Sequence, residues 1–405
     1  MRSARLALYV HIPFCQAKCP YCDFNSYAGL ESLMAPYVDA LIAEMALWRE
    51  ATRDARVNTV FFGGGTPSFL PLAETERIFT ALGRSFSARG GPDAEITTEA
   101  NPGSADSARL DGLRQMGFNR LSLGVQSFQD DELRLLGRVH SAAEARQAYR
   151  AARRAGFENV NLDLIYGLPG QPLAAWQRTL AEAIALRPEH LSLYALTLEE
   201  GTPLAADVAR GRPPAPDPDL AADMYLWAGE ALAAAGYQQY EISNWALPGR
   251  RCRHNLVYWH NEPYLGLGAG AHSCLGGFRF AAVRDPSRYI RDVMARGAEP
   301  HADGLAAFLA GLRHLETVEE TTPARAMAET VILGLRLVEG VSAAAFRRRF
   351  GASLLSVYGP AVAELTALGL LERANGRVRL TPKGRLLGNE AFERFLPDEA
   401  GFATT

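Results

Sequence analysis

Over roughly the first half of the chain, short apolar runs alternate with longer segments whose apolar residues recur at helical spacing. The short runs are rich in β-branched residues and predict strands, whereas the longer segments predict helices. Strands are predicted at residues 6–12, 57–62, 95–100, 120–126, 159–165 and 190–196. Helices are predicted between them at 34–48, 72–86, 104–116, 130–136, 142–155 and 173–186. This alternation is typical of parallel βα units, so the pattern predicts an α/β fold, namely a partial (β/α)6 barrel.

The pattern changes after the sixth predicted strand. A proline-rich stretch at 210–218 is followed by an amphipathic helix predicted at 220–235, with Asp219 as its predicted N-cap. Residues 237–280 are rich in aromatic residues, His, Asn and Gly, which indicates irregular structure with a few strands.

The last part of the chain has the element order of a winged helix. Helices are predicted at 330–337, 343–350 and 361–368, and a hairpin at 371–380 turns at Asn375 and Gly376. We therefore divide the chain into three parts. They are a barrel at 1–205, a linker, helix and aromatic-rich segment completing the barrel side at 206–300, and a C-terminal α+β winged-helix-like domain at 301–405.

The composition describes an ordinary folded protein. Of 405 residues, 48% are hydrophobic and 21% are charged, which allows a sizeable core. The net charge of −3 gives no general attraction to nucleic acid, so we expect no nucleic-acid partner even though some winged helices bind DNA. No apolar run reaches the roughly 18–20 residues of a membrane span, and no targeting segment is seen, so we expect a cytoplasmic protein.

Cys15, Cys19 and Cys22 follow the first predicted strand at C-x3-C-x2-C spacing. Three thiolates on one tight loop can hold three irons of a cubane cluster and leave the fourth iron open, unlike the four-cysteine ferredoxin arrangement. A disulfide would leave one of the three unpaired, and a zinc site would need a fourth ligand, for which Cys252 and Cys274 are the available cysteines. The spacing resembles that of the radical S-adenosylmethionine (SAM) superfamily, in which SAM chelates the open iron.

Polar residues and glycines collect at the C-terminal ends of the predicted strands, where parallel barrels place their functional groups. They are Gly64, Gly65, Thr66, Glu99, Gln126, Arg138 and Asp163. In the context of the cysteine loop they are expected to bind SAM, and a bulky residue at Gly65 is expected to weaken SAM binding while sparing the cluster. The alternative interpretations are a tight turn for the glycines and a structural pair between Asp163 and Arg138.

Two tyrosines lie close to the cysteines in the sequence. Tyr9 is in the first predicted strand and Tyr21 directly precedes Cys22. Either ring could pack beside the adenine of SAM, and core packing against the loop is the alternative for both.

A second group of aromatic and polar residues contains His254, Asn255, Tyr258 and Trp259, in an H-N-x-x-Y-W pattern. A neutral imidazole is a common axial ligand for heme iron, and aromatic neighbours could cover a porphyrin face. On the residues alone, a packed histidine in an aromatic patch is the favoured interpretation.

Taken together, these residues resemble the oxygen-independent coproporphyrinogen III oxidase group of radical SAM proteins over most of the chain. The oxidase branch has a fourth cysteine two residues after the third, where this chain has Phe24, and a longer segment before the strand that contains Tyr9. Both differences, and the H-N-x-x-Y-W pattern, match the heme chaperone branch of the group, of HemW type.

The resemblance implies a specific function. The protein is expected to bind a [4Fe-4S] cluster through the three cysteines, SAM on the open iron, and heme near His254, and to transfer heme to acceptor hemoproteins. It also implies a homodimer and peripheral membrane association through the acceptors. The alternative is the enzyme that oxidatively decarboxylates coproporphyrinogen III, and a third possibility is a radical SAM enzyme with another substrate. No residue is singled out as catalytic.

Overall fold

Residues 5–86, 93–295 and 304–397 are described by the computed structural model, and within them the strands fall into two sheets. The strands are β1 Arg5–Ile12, β2 Arg56–Gly64, β3 Glu95–Ala100, β4 Arg120–Gln126, β5 Val160–Tyr166, β6 His190–Ala195, β7 Gln238–Glu241, β8 Asn244–Ala246, β9 Tyr264–Leu267, β10 His272–Leu275, β11 Phe278–Ala282, β12 Leu315–Glu320, β13 Val341–Ser342, β14 Leu371–Ala374 and β15 Arg377–Leu380.

Helices cover the outside of the large sheet and build the C-terminal unit. They are α1 Met34–Ala51, α2 Leu72–Ser85, α3 Ser107–Met116, α4 Asp130–Leu135, α5 Ala142–Arg154, α6 Leu173–Leu186, α7 Pro203–Ala209, α8 Pro218–Ala234, α9 Arg253–Trp259, α10 Pro286–Met294, α11 Leu305–Gly311, α12 Pro323–Leu335, α13 Ala343–Phe350, α14 Leu354–Ala367, α15 Pro382–Leu386 and α16 Gly388–Glu393.

The first six strands are parallel and lie in sequential order, β1 to β6, as the alternating pattern predicted. Apolar side chains on their outer face, such as Val10 and Ile12, are fully buried in one core with Leu41 and Trp48 of α1. On the inner face, a cavity of about 190 Å³ is lined by side chains from all six strands. A single cavity can touch six neighbouring strands only if the sheet is curved, so the predicted partial (β/α)6 barrel is confirmed.

The helix ends follow the local sequence closely. Asp106 accepts the backbone N–H of Arg109 at the start of α3, and Gly117 ends that helix with φ of 113°. The N-cap of α8 is Asp217 and not the predicted Asp219, because the Asp217 carboxylate accepts the N–H groups of Asp219 and Leu220. Pro218 has no N–H to satisfy and so fits the first helical position.

Both edges of the barrel sheet are extended by later segments. On one edge β9 pairs in parallel with β1, and β10, β11 and β12 continue in antiparallel order. On the other edge β8 and β7 are added to β6. The strand β12 thus belongs to the large sheet, and the boundary between the two cores lies after it rather than at residue 300, where the sequence pattern placed it.

The C-terminal unit has its own apolar core, which includes Val331, Phe346, Leu365 and Val378. Three helices, α12 to α14, pack with the small antiparallel sheet β13–β15–β14, which is the winged-helix-like order predicted from the sequence. Asn375 and Gly376 both have positive φ, as a two-residue hairpin turn requires. The helix predicted at 361–368 begins earlier, at Leu354, and is interrupted by non-helical backbone at Tyr358 ahead of Pro360.

Among the described residues, none of the helices has both the length and the apolar character needed to cross a bilayer.

Candidate functional site

The three cysteines lie on the loop between β1 and α1, and backbone hydrogen bonds fix the shape of that loop. The N–H of Cys15 donates to the carbonyl of Tyr27 at 2.8 Å, and the N–H of Cys22 donates to the carbonyl of Cys19 at 3.1 Å. The Lys18 ammonium donates to the carbonyl of Ser26 at 3.0 Å, which links two parts of the same loop. All three thiols are partly exposed and line the same cavity, called the first cavity below.

The two other cysteines lie apart from this loop. Cys252 is buried with its sulfur 3.8 Å from Glu95 Oε1, and Cys274 is in β10. Neither lines the first cavity, so the structure gives no support to either of them as the fourth ligand of a zinc site. No group of three or more His, Cys, Asp or Glu side chains in the described ranges is arranged to hold a single metal ion.

The glycine run that ends β2 is pressed against the cysteine loop. The N–H of Gly65 donates to Ile12 O at 2.9 Å, and the N–H of Thr66 donates to Phe14 O at 2.8 Å. A Cβ at Gly65 would lie 2.7 Å from Phe14 O and 2.9 Å from Cys15 Sγ. This geometry argues against the expectation that a bulky residue at Gly65 would spare the cluster, because the new atoms would displace Cys15, a predicted cluster ligand.

The first cavity, with a volume of about 390 Å³, brings together the cysteines and eight of the nine residues predicted for SAM. The eight are Tyr21, Gly64, Gly65, Thr66, Glu99, Gln126, Arg138 and Asp163. They come from the ends of five different strands and from the segments that follow them. The ninth, Tyr9, does not line this cavity, because its hydroxyl bonds His11 Nδ1 at 3.0 Å on the inner face of β1.

The backbone of Gln126 has a φ of 67°, which is uncommon for a residue with a side chain. The pairing between β4 and β5 is irregular between Leu123 and Gln126, so the strand changes direction at this point. Such local strain costs about 1–3 kcal/mol and is typical of functional sites.

Arg138 contacts the cysteine loop and not Asp163. One guanidinium nitrogen donates to Cys19 Sγ at 3.4 Å, and another donates to the carbonyl of Gly124 at 2.8 Å. Asp163 instead accepts hydrogen bonds from Ser122 Oγ at 2.9 Å and Asn161 Nδ2 at 2.8 Å. The alternative interpretation of a structural pair between Asp163 and Arg138 is therefore wrong, because each group already has other partners.

Two carboxyl groups, Glu99 and Asp163, face the barrel interior near each other. Desolvation, reinforced by the charge of Asp163, raises the pKa of Glu99 to about 8. Desolvation also raises the pKa of Asp163, against the hydrogen bonds of Ser122 and Asn161. Arg120, which is 2% exposed, adds a positive charge that partly offsets the raised pKa of Glu99. A cation bound beside Glu99 would lower this pKa further and favour the ionised carboxylate.

The structure brings three of the four H-N-x-x-Y-W residues, His254, Asn255 and Tyr258, to the small cavity inside the barrel and leaves Trp259 outside it. His254 is 1% exposed, its Nδ1 hydrogen-bonds Thr59 Oγ1 and its Nε2 hydrogen-bonds the Tyr258 hydroxyl, both at 2.9 Å. Burial, and secondarily the charge of Arg120, lowers the pKa of His254 to about 3. Both ring nitrogens of His254 are thus engaged in hydrogen bonds in this structure, and its assignment as a heme residue stays a prediction.

The rest of that pattern is divided by the helical repeat of α9. Asn255 and Tyr258 line the small cavity inside the barrel. Trp259 is on another side of the helix, with the Arg336 guanidinium 4.5 Å from its ring centre. Residues four apart on a helix share a face, and His254 and Tyr258 accordingly meet in a hydrogen bond.

Several lining residues of the first cavity were not predicted. They are in particular Asn101 after β3, Tyr194 near the end of β6, and Thr197 and Glu199 on the segment that follows. Their positions at or after strand ends were visible in the sequence, but polar residues in loops are common and gave no separate signal.

The comparisons with known proteins agree with this arrangement. Residues 9–183 match the model of the radical SAM superfamily, and residues 321–387 match the HemN C-terminal domain. The chain is 38% identical to heme chaperone HemW of Bacillus subtilis over 96% of this chain and 98% of that protein. It is 37% identical to heme chaperone HemW of Escherichia coli over 97% of this chain and 98% of that protein.

A solved structure shows the same fold over nearly the whole chain. It is the coproporphyrinogen III oxidase HemN from Escherichia coli, a radical SAM enzyme, with a TM-score of 0.81 and 26% identity, covering 98% of this chain and 91% of that one. The identity to the HemW proteins is higher than the identity to this oxidase. The cysteine loop, the barrel, the C-terminal domain and these relatives together show that the chain belongs to the HemW heme chaperone family of the radical SAM superfamily.

Proposed function

We propose that this protein holds a [4Fe-4S] cluster and SAM in the first cavity, binds heme, and delivers the heme to acceptor hemoproteins. The observation that carries the proposal is the convergence of Cys15, Cys19 and Cys22 with eight polar and glycine residues on one cavity at the strand ends. The relatives named heme chaperones, which match along the full chain, support the heme part of the proposal.

The residues around the cysteines fit a cluster better than a single ion. There is no room for a side chain at Gly65 next to Cys15, so the cysteine loop and the glycine run are packed closely against each other. Arg138 lies beside Cys19, and its Nε is buried without a hydrogen-bond partner among the described residues. Hydrogen bonds to cluster sulfur tune the reduction potential, so Arg138 has a role both in holding and in tuning the group.

When bound, a cluster held by the three cysteines would supply an iron with an open coordination position for SAM. Glu99 suits the positively charged part of SAM, because a cation beside it favours the ionised carboxylate whose pKa is otherwise raised. Gly64 lets the backbone come close to the ligand, with a φ of 113° that a larger residue would rarely adopt. Tyr21 is one of three aromatic rings on the cavity wall that are available for adenine, with Phe24 and Tyr194.

The test is a heme titration of the anaerobically reconstituted protein, followed at the Soret band. We expect saturable binding near one heme per chain, followed by loss of the Soret signal from the protein when an apo-hemoprotein is added. The absence of saturable heme binding would refute the chaperone function.

The oxidase is retained as the second candidate because of the structural match to HemN. The same preparation is supplied with coproporphyrinogen III, SAM and a reductant, and we expect no loss of carboxyl groups as carbon dioxide. Stoichiometric release of carbon dioxide would favour the enzyme.

We place heme transfer in the cytoplasm, with hemoproteins as partners, and propose a homodimer that reaches membrane-bound acceptors from the surface of the membrane. These points follow from the resemblance to the heme chaperone branch. Sedimentation of the reconstituted protein with and without heme tests the dimer, and co-flotation with acceptor-containing vesicles tests the membrane contact.

A further inference from the structure

Two hydroxyl groups lie beside sulfur atoms of the cysteine loop. Thr66 Oγ1 donates to Cys15 Sγ at 3.6 Å, and Ser26 Oγ lies 3.9 Å from Cys22 Sγ. The third sulfur of the loop already has the guanidinium donor described above. Every one of the three sulfurs is therefore next to a polar side chain, and the three side chains come from different segments of the chain.

Ser26 is held in place through its backbone. Its N–H donates to the carbonyl of Phe24 at 2.7 Å, and its own carbonyl accepts the Lys18 ammonium at 3.0 Å. The residue is 1% exposed, and in the described part of the chain its hydroxyl interacts only with sulfur atoms of this loop, those of Cys22 and Cys15. Because burial of a hydroxyl is costly without a hydrogen bond, the position of Ser26 depends on these sulfurs.

Thr66 is fixed at the start of the short turn Pro67–Phe69 that follows β2. Its N–H donates to the carbonyl of Phe14 at 2.8 Å, and its carbonyl accepts the N–H of Phe69 at 2.8 Å. With both backbone groups bonded, the side chain is presented to Cys15 from a fixed position. The sequence pattern assigned Thr66 to SAM, and this contact with sulfur was not visible in that pattern.

The two contacts change in character when the thiols lose their protons. A thiol can donate as well as accept, and in the pair of Ser26 and Cys22 either atom could be the donor. A thiolate can only accept, so the hydroxyl must then be the donor. Hydrogen bonds to an ionised group are shorter and stronger than neutral ones, so we expect both distances to shorten in the protein that holds a cluster.

Donors beside the sulfurs favour the more negative state of a cluster. One-electron reduction adds negative charge that is shared with the thiolate ligands, and a hydrogen bond to a ligand sulfur stabilises that charge. The two hydroxyls and the guanidinium therefore act in the same direction, each on a sulfur of the same loop.

We propose that Ser26 and Thr66 are positioning residues for the cluster, each of which raises its reduction potential through a hydrogen bond to a ligand sulfur. Together with Arg138, they give each of the three cysteine ligands a side-chain donor. This inference rests on the proposed function, since it requires a cluster held by the three cysteines.

The test is a redox titration of the anaerobically reconstituted full-length protein, followed by the electron paramagnetic resonance signal of the reduced cluster. Ser26→Ala and Thr66→Val each remove one hydroxyl and add no bulk beyond a methyl group. We expect each variant to lower the equilibrium constant for one-electron reduction by about three- to tenfold, a tenfold change being about 59 mV.

A second measurement reports on the hydrogen bonds themselves. In resonance Raman spectra, the bands for stretching between iron and cysteine sulfur should move to higher frequency in both variants, because a sulfur that loses a hydrogen bond binds iron more strongly. A role of the hydroxyls in packing alone would not produce this shift.

Two control variants separate the hydroxyl from the side chain that carries it. Thr66→Ser keeps a hydroxyl at the same position and should keep the potential of the original protein, unlike Thr66→Val. Ser32→Ala removes a hydroxyl from an exposed position that follows the cysteine loop, and it should change neither the potential nor the iron content.

The outcomes distinguish this inference from the function on which it rests. If the original protein assembles no cluster, the proposed function fails and the inference fails with it. If the cluster assembles and both Ser26→Ala and Thr66→Val keep the original potential and Raman bands, the proposed function stands and the inference is wrong. If Ser26→Ala assembles no cluster, the two Thr66 variants decide: a lower potential in Thr66→Val alone supports the inference, and equal potentials in Thr66→Val and Thr66→Ser refute it.

Discussion

The close packing of Gly65 against the cysteine loop leads to a quantitative prediction for Gly65→Ala. The added Cβ would lie 2.7 Å from Phe14 O and 2.9 Å from Cys15 Sγ, whereas unstrained contacts of such atoms begin near 3.5 Å. The loop and the glycine run must therefore separate by about 0.6–0.8 Å. Metal ligands tolerate displacements of only about 0.2 Å, so Cys15 loses its place as a cluster ligand.

The same substitution also affects the protein without its cluster. Overpacking of this kind lowers the free energy of unfolding by about 1–3 kcal/mol. The backbone at Gly65 is outside the left-handed region, so the loss arises from the contacts and not from a forbidden φ. We therefore expect a melting temperature a few degrees lower for the apoprotein and a reduced iron and sulfide content after reconstitution.

The matched control adds the same methyl group where space is free. Gly229 lies within α8, and a Cβ there would meet no atom within 4 Å. Gly229→Ala should raise the free energy of unfolding by about 0.5–1 kcal/mol, because alanine restricts the unfolded chain and favours the helix. In thermal unfolding, the melting temperature should fall in Gly65→Ala and rise in Gly229→Ala. Full iron content together with an unchanged melting temperature in Gly65→Ala would show that Gly65 does not pack tightly against the cysteine loop.

Three further predictions concern the first cavity. Cys19→Ala should lose the broad absorbance of the reconstituted cluster, whereas Cys274→Ala should keep it; equal absorbance in both would remove Cys19 from the ligand set. Because a cation favours ionised Glu99 and the pKa of Glu99 is about 8 in the free protein, SAM affinity should rise with pH up to about 8 and then level off. In Glu99→Gln the calorimetric SAM affinity should be lower and should lose that rise, and an unchanged pH profile would contradict the assignment. Arg138→Met removes the donor to Cys19 Sγ and should lower the reduction potential of the cluster in a redox titration, while Arg134→Met, at an exposed position, should not.

The acidic pair also determines how apoprotein stability varies with pH. The pKa of Glu99 is higher in the folded protein than in the unfolded chain, so its folded form binds the proton more tightly. The free energy of unfolding should therefore fall as pH rises from about 4.5 to about 8. Denaturant titrations across this range should show a smaller fall in Glu99→Gln, and an identical fall would assign the effect to other groups.

The barrel could be predicted from the sequence because its strands are short apolar runs and its helices carry regular apolar spacing. The six strands were predicted within a few residues, and the cysteine spacing with the glycine run identified the first cavity. Neither required knowledge of contacts between distant residues, since parallel strands place their C-terminal ends together by topology alone.

The extension of the sheet beyond β1 could not be predicted in this way. The strands β9 to β11 are short and separated by glycine-containing turns, and the pairing of β9 with β1 joins residues more than 250 positions apart. The H-N-x-x-Y-W pattern drew attention to His254, but sequence spacing gives no information on whether both ring nitrogens are already bonded. That information comes from Thr59 on β2 and from Tyr258, one turn along α9.

The arrangement of β1 between β2 and β9 has a consequence for the order in which the protein matures. The segment after the third cysteine is held by Asn25, whose amide donates to the carbonyls of Ala269 and Arg284, both at 3.0 Å. These acceptors leave the ribosome 244 and 259 residues after Asn25, which takes roughly 10–50 s at usual rates of synthesis. Until then the segment after the third cysteine lacks these two hydrogen bonds. We therefore expect iron and sulfide to be installed after this part of the large sheet has been translated, and the thiols to need protection from oxidation during that interval.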